Sequence, residues 1–169
     1  MSVNVEAFCD ILTSNTITRP ADTTAYASGD LVANSTTAGS VTAFSFANAV
    51  RFPGGSIRVE RCRIQKSGTS TTNASFRVHI YSATPASITN GDNGAWSTSI
   101  TGYIGAFDVT LDRAFTNGAE GAGLTLTSTP MTCKTTGSAI TLYALVEARG
   151  AYTPASAETF TILLEAYRF

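Results

Sequence analysis

The stretch "AITLYALVEAR", residues 139–149, decides the class of fold. One parity of this stretch holds its apolar residues, namely Ile140, Leu142, Ala144, Val146 and Ala148. The other parity holds Thr141, Tyr143, Glu147 and Arg149, and only Leu145 breaks the pattern. Because successive side chains of a β-strand point to opposite faces of its sheet, this period of two predicts an antiparallel strand with one dry face and one wet face.

The same alternation recurs in "ASFRVHIYS" (74–82) and "ETFTILLEAYRF" (158–169). It places Arg77, His79 and Tyr81 on the wet face of their strand. The predicted dry interior includes Phe76, Val78, Ile80, Leu142, Val146, Phe160, Ile162 and Leu164. Turn-rich breaks divide the chain into about eight strands, at 29–34, 41–50, 56–66, 74–82, 100–111, 122–128, 139–149 and 157–168. This pattern predicts an all-β domain, a single jelly-roll or other Greek-key β-sandwich of antiparallel strands, with a closed barrel as the second choice.

Two irregularities stand out in this pattern. In "SIRVERCRIQK" (56–66) the apolar parity changes between Val59 and Cys62, which predicts a β-bulge or a change of sheet near Glu60–Arg61. The longest break, 83–99, predicts either one helical turn or a functional loop.

The composition of the chain limits the classes of partner that we expect for it. Net charge is −1 and only 14% of the 169 residues are charged, which argues against nucleic acid and membrane surfaces as partners and favours a surface partly covered by other proteins. The first twelve residues lack Lys and Arg, so we expect no secretion signal and a chain made in a cytoplasm.

The chain has three cysteines, Cys9, Cys62 and Cys133. Their number is odd and their spacing is too wide for a zinc motif, so we expect them to be buried free thiols.

No constellation of residues indicates catalysis. The chain has one histidine, His79, and no Ser lies in a nucleophile motif that this histidine could serve as a base. We therefore predict no catalytic task for His79, Asp108 or Glu147. The turn "TNGDNG" (89–94) lacks the spacing of a calcium loop. We therefore predict a protein that is not an enzyme, with no cofactor and no metal.

The segment "RPADTTAYASGDLVANS", Arg19–Ser35, is too polar for a core strand yet unlike a disordered tail. We predict that residues 1–28 form an extended lead segment, with a short helix possible at 4–12, and that 29–169 form the sandwich. Two interpretations of the segment remain open. Either Arg19, Pro20, Asp22 and Tyr26 contact a partner, or the segment is an intramolecular flap in which Tyr26 covers the edge of its own sheet.

The run R-P-A-D-T-T-A-Y-A-S-G-D-L-V within Arg19–Ser35 resembles small virion structural proteins encoded among the head genes of tailed bacteriophages, of the capsid decoration (cement) type. The match covers about a tenth of the chain. The resemblance implies a jelly-roll protein that forms homotrimers on the outside of the head, clamps major capsid protein subunits, and is assembled in the host cytoplasm. It implies neither nucleic acid nor membrane as a partner.

Trp96, the one tryptophan, lies in the long 83–99 break. It could stack on a sugar, anchor an interface or plug the open end of the sandwich. The alternative function is therefore a phage tail-fibre or carbohydrate-binding β-sandwich module, and an unrecognised hydrolase ranks far below both.

Overall fold

The computed structural model describes residues 8–127 and 130–169, and these form eleven strands and one short 3-10 turn, Ala38–Ser40. The strands are β1 Phe8–Thr13, β2 Ile17–Thr18, β3 Leu31–Val32, β4 Phe44–Phe46, β5 Ser56–Lys66, β6 Ser75–Tyr81, β7 Tyr103–Phe115, β8 Gly118–Gly123, β9 Met131–Lys134, β10 Leu142–Ala148 and β11 Thr159–Arg168. Every pairing between them is antiparallel. The all-β prediction is confirmed, with more strands than the eight expected because short strands pair beside the long ones.

The strands follow the order β1-β11-β5-β8-β7-β6-β10-β3, with β2, β4 and β9 pairing at the side of β11, β10 and β5. Phe76 on β6 and Phe160 on β11 nevertheless meet edge to face, with ring centroids 5.6 Å apart. Strands that are four places apart in the sheet can touch only if the sheet curls over its own core. The curled sheet therefore has two facing layers, an arrangement compatible with the predicted jelly-roll sandwich.

The interior of the curled sheet is the predicted one. All eight residues assigned to the dry interior, from Phe76 to Leu164, are at most 1% exposed, and they belong to one continuous cluster. The alternation of apolar and polar residues was sufficient to predict these buried positions, because β6, β10 and β11 each turn one face to the core along their whole length.

The two ends of the sheet meet through Asn15, which lies between β1 and β2. Its backbone N–H donates to the Ser45 carbonyl of β4 at 3.2 Å, and its side-chain oxygen accepts from the Ser45 N–H at 2.6 Å. Since β1 and β4 lie at opposite ends of the strand order, these bonds cover backbone groups that an open sheet would expose.

The predicted irregularity in β5 is confirmed as a bulge. Glu165 pairs with Arg61 and the next residue, Ala166, pairs with Val59, so Glu60 is the extra residue. The bulge restores both Val59 and Cys62 to the core, where each is 0% exposed. It also divides β5 between two partners, β9 before the bulge and β8 after it.

The N-terminal lead segment differs from the prediction. Residues Phe8–Thr13 form a strand rather than a helix and pair with 163–168 of β11, and Ile17–Thr18 pair with 159–160 of the same strand. Residues 8–18 are therefore part of the same sheet as the body, and the predicted boundary at residue 28 does not follow the sheet. Residues 1–7 of the predicted lead lie outside the described residues.

The wet outer face predicted for β6 and β10 is wrong for three residues. Tyr81, His79 and Glu147 are only 2%, 9% and 7% exposed. The long 83–99 segment forms no helical turn and instead packs over this face, where Ile88 and Trp96 contact a second apolar cluster. That cluster comprises Leu31, Ala33, Tyr81 and Leu145. Alternation could not reveal a loop lying over the second face.

The cysteine prediction holds for two residues of three. Cys62 and Cys133 are free and buried, whereas Cys9 is exposed on β1. Strand β1 lies at the end of the strand order, so its outward side chains meet solvent.

Candidate contact surface and the buried polar latch

The Arg19–Ser35 segment runs across one end of the curled sheet. The Arg19 N–H donates to Glu158 O at 3.0 Å, the Tyr26 N–H to Tyr152 O at 2.9 Å and the Gly29 N–H to Ala148 O at 2.8 Å. Leu31 and Val32 then pair with β10. The segment therefore follows the connection between β10 and β11, and its backbone is bonded to its own chain.

Arg19 and Tyr26 point inward from this segment and meet Asp92 of the long loop. Arg19 Nη2 donates to Asp92 Oδ2 at 2.8 Å, Tyr26 OH donates to Asp92 Oδ1 at 2.6 Å, and Arg19 Nε also contacts Tyr26 OH. The Ala33 N–H donates to the same carboxylate at 2.8 Å. The Arg19 and Asp92 side chains are 0% exposed, and burial raises the pKa of Tyr26 well above its ordinary value.

A second buried ion pair lies beside the first. Lys66 Nζ donates to Glu158 Oε1 at 3.0 Å, and Tyr152 OH bonds the same carboxylate at 2.7 Å. The Tyr26 and Tyr152 rings are stacked with centroids 6.5 Å apart, which joins the two groups. Burial lowers the pKa of Lys66, and the Glu158 carboxylate partly offsets that effect. We call Arg19, Tyr26, Lys66, Asp92, Tyr152 and Glu158 the polar latch.

The latch bears on the two interpretations left open for Arg19 and Tyr26, a partner contact and an intramolecular flap. The two residues are 2% and 1% exposed and are bonded within the chain, so the flap interpretation describes them. Pro20 and Asp22 lie nearer the surface, and the Asp22 side chain is 39% exposed. Asp22 Oδ1 accepts from the Thr24 N–H at 2.9 Å, which forms a local turn.

Trp96 lies flat against His79 on the outer face of β6, with ring centroids 4.0 Å apart and planes at 23°. It is half-buried and neither plugs the end of the sandwich nor presents a free ring on a loop tip. Tyr103 of β7 flanks the same imidazole at 5.9 Å. Trp96 thus packs against the outer face of the protein's own sheet, and part of its side chain remains exposed.

The acidic and basic groups near His79 are paired with one another. His79 Nε2 lies 2.9 Å from Glu147 Oε2, and Arg149 donates to Glu147 Oε1 at 2.8 Å. Arg77 and Asp108 form a two-bond ion pair at 2.6 and 2.7 Å. Burial lowers the pKa of His79, against the opposing effect of Glu147. No Ser, Thr or Cys in the described part of the chain bonds the imidazole, and the prediction that the chain is not an enzyme stays a prediction.

Exposed apolar side chains gather next to this cluster. Leu124, Leu126 and Tyr103 are 58%, 50% and 38% exposed. Thr125 bridges Phe107 of β7, and the Leu126 N–H donates to Ala106 O at 3.4 Å, which places the two leucines outward along β7. A shallow depression of about 240 Å³ separates Tyr103 from Leu126. We call Tyr103, Leu124 and Leu126 the apolar strip.

Sequence reasoning missed both the strip and Asp92. The sequence predicts a strand at 122–128, whereas the structure has only the Phe107–Thr125 bridge at 124–127, with Leu124 and Leu126 exposed. One feature of the sequence could have drawn attention to Asp92, namely its position in a turn between Gly91 and Gly94. A Cβ at Gly91 would lie 2.1 Å from the Thr36 backbone, so only glycine allows the loop to approach closely enough for Asp92 to reach Arg19.

In the described part of the chain, no helix is long and apolar enough to cross a membrane, and no three His, Cys, Asp or Glu side chains are grouped to hold a metal ion. No family model and no curated protein matches the chain. Among solved structures, a family two carbohydrate esterase from Cellvibrio japonicus aligns at 15% identity over 86% of this chain and 36% of its own, with a TM-score of 0.14. The chain thus spans about a third of that protein's length, and at this TM-score the likeness carries no argument about fold or activity.

Proposed function

We propose that the chain is a capsid decoration (cement) protein of a tailed bacteriophage. It binds the outside of the head and stabilises contacts between major capsid protein subunits, without catalysis. The observation that carries the proposal is the apolar strip, a group of exposed apolar side chains on β7 and on the segment that follows β8. The resemblance of Arg19–Ser35 to head-gene structural proteins supports the choice of partner.

The strip suits a contact with another protein. Tyr103, Leu124 and Leu126 are 38–58% exposed in the free chain, so covering each one contributes roughly half of the 1.5–3 kcal/mol that full burial of an exposed apolar side chain gives. Strand β7 and the Phe107–Thr125 bridge hold these residues in place. Little conformational entropy is then lost on binding, which favours affinity.

We further propose that the protein acts as a homotrimer on the virion surface after assembly in the host cytoplasm. The low content of charged residues, 14%, favours a surface partly covered by sister subunits. Closed symmetry presents three copies of the apolar strip at once, and the linked contacts bind more tightly than one strip alone.

The test is an add-back experiment with heads purified from a phage that lacks the protein. The variant carries Leu124→Ser and Leu126→Ser, and the matched control carries Phe52→Ser, because Phe52 is 57% exposed but lies in the turn between β4 and β5. We expect the control to co-sediment with heads and the double variant to remain in the supernatant, with equal thermal unfolding.

Two outcomes contradict the proposal. If the unaltered protein fails to bind heads, the capsid role is wrong. If the double variant binds as well as the control, the strip is not the contact. Light scattering of the free protein and reconstruction of decorated heads give the subunit number, and single isolated copies in both would contradict the trimer.

The alternative, a tail-fibre or carbohydrate-binding module, gains nothing from Trp96, because one face of its indole is covered by His79. A different region of the surface carries the case for a sugar.

A further inference from the structure

A groove of about 450 Å³ lies on the outer face of β11 and β5, beside the hairpin that joins β7 to β8. Phe76 and Phe160 meet across the core, so the outward residues of β11 and those of β6 lie on opposite sides of the molecule. The groove and the apolar strip lie at opposite ends of β7, because Phe115 lines the groove and Tyr103 belongs to the strip. Its lining includes Gln65, Ser67, Phe115, Asn117, Thr159 and Thr161.

The charges around the groove are neutralised by the chain itself. Lys66 reaches the lining, but its ammonium is 0% exposed and bonded to Glu158. The Glu120 carboxylate accepts from Arg63 at 3.2 Å and from Gln65 Nε2 at 2.6 Å. The groove therefore favours an uncharged ligand.

Neutral hydrogen-bonding groups remain available along the groove. The Ser67 hydroxyl accepts from the Thr159 N–H at 2.9 Å and keeps its own hydrogen to donate. Among the described residues, neither the Asn117 amide nor the Thr159 hydroxyl has a protein partner. Together they offer both donors and acceptors, as a ligand with several hydroxyl groups requires.

An aromatic ring stands at the rim. Phe115 is 54% exposed at the end of β7, next to the hairpin turn. Gly118 allows this hairpin to lie against β5, because a Cβ there would be 2.3 Å from the Lys66 carbonyl oxygen. The ring is thus held beside the polar groups, and an exposed aromatic face packs well against the C–H face of a pyranose.

We propose that this groove binds a neutral saccharide, a pyranose unit whose C–H face lies on Phe115 and whose hydroxyls bond Asn117, Ser67 and Thr159. The lining supplies the two features that such a ligand needs, an apolar platform and neutral polar groups that fix its orientation. The proposal does not depend on the capsid role.

The test is a titration of the isotopically labelled full chain, followed by backbone amide NMR. The probes are methyl glucoside, methyl galactoside, methyl mannoside and N-acetylglucosamine, with glucuronic acid and N-acetylneuraminic acid as acidic counterparts. We expect at least one neutral probe to shift amides of residues 65–67, 115–120 and 159–161, with a millimolar dissociation constant.

Two variants locate the site. Phe115→Ala and Asn117→Ala should each weaken binding by about tenfold, while Phe52→Ala, equally exposed at 57%, leaves it unchanged. Dispersed amide spectra confirm that each variant is folded. The proposal is overturned if no neutral probe shifts the groove, if only the acidic probes bind, if the shifts centre on Trp96, or if Phe115→Ala binds like the Phe52→Ala control.

Discussion

Replacing Asp92 by alanine should destabilise the protein more than any exposed substitution. The Asp92 carboxylate accepts bonds from Arg19, Tyr26 and the Ala33 N–H, and its side chain is 0% exposed. Without it, the equally buried guanidinium of Arg19 keeps, among the described residues, only Asp22 as an acidic partner, at 3.5 Å. Removing one partner of a buried ion pair leaves an uncompensated charge away from water.

The expected size follows from that uncompensated charge. Breaking a buried pair costs about 3–5 kcal/mol. For a chain of this length, each kcal/mol lowers the melting temperature by about 2–4 °C, so Asp92→Ala should melt about 6–20 °C lower. The matched control is Asp22→Ala, which removes a second carboxylate near Arg19 whose side chain is 39% exposed, and it should cost at most about 1 kcal/mol.

Urea unfolding measures both variants. Far-UV circular dichroism reports the whole sheet, and the fluorescence of Trp96 reports the loop that carries Asp92; coincident curves indicate two-state unfolding. A double variant, Arg19→Met with Asp92→Leu, removes both charges and should recover part of the loss. If Asp92→Ala costs no more than Asp22→Ala, the latch does not hold the segment and the argument fails.

Three further results are expected. Ile162→Ala should cost about 2–5 kcal/mol in urea unfolding, because the side chain is 0% exposed in the core. Because burial lowers the pKa of His79, the unfolded chain takes up a proton more readily. Stability should therefore fall as the pH drops below about 6.5, and His79→Gln should flatten that part of the pH profile measured by thermal unfolding. A thiol reagent at neutral pH should label Cys9 at once and Cys133 only on unfolding, because burial raises the pKa of the Cys133 thiol to about 12; rapid labelling of both would contradict the burial.

The sequence was sufficient to predict what strand alternation controls. The core positions of β6, β10 and β11 and the bulge at Glu60 depend on parity within one strand, which is visible locally. The covered outer face was not predictable in this way. His79 and Glu147 alternate as wet-face residues do, and only the path of residues 83–99 over them makes that face an interior.

The Arg19–Ser35 segment shows why polar composition misleads about position. Few residues of the segment are apolar, so its composition predicts an exposed segment. Arg19 and Tyr26 are nevertheless buried, because their polar atoms form hydrogen bonds within the chain. The partner of Arg19 is Asp92, 73 positions later, and no local pattern connects the two. Burial of a polar side chain depends on such distant partners, whereas burial of an apolar one does not. The proposed capsid contact would therefore use side chains other than Arg19 and Tyr26, and the exposed Tyr103, Leu124 and Leu126 can be covered without disrupting the latch.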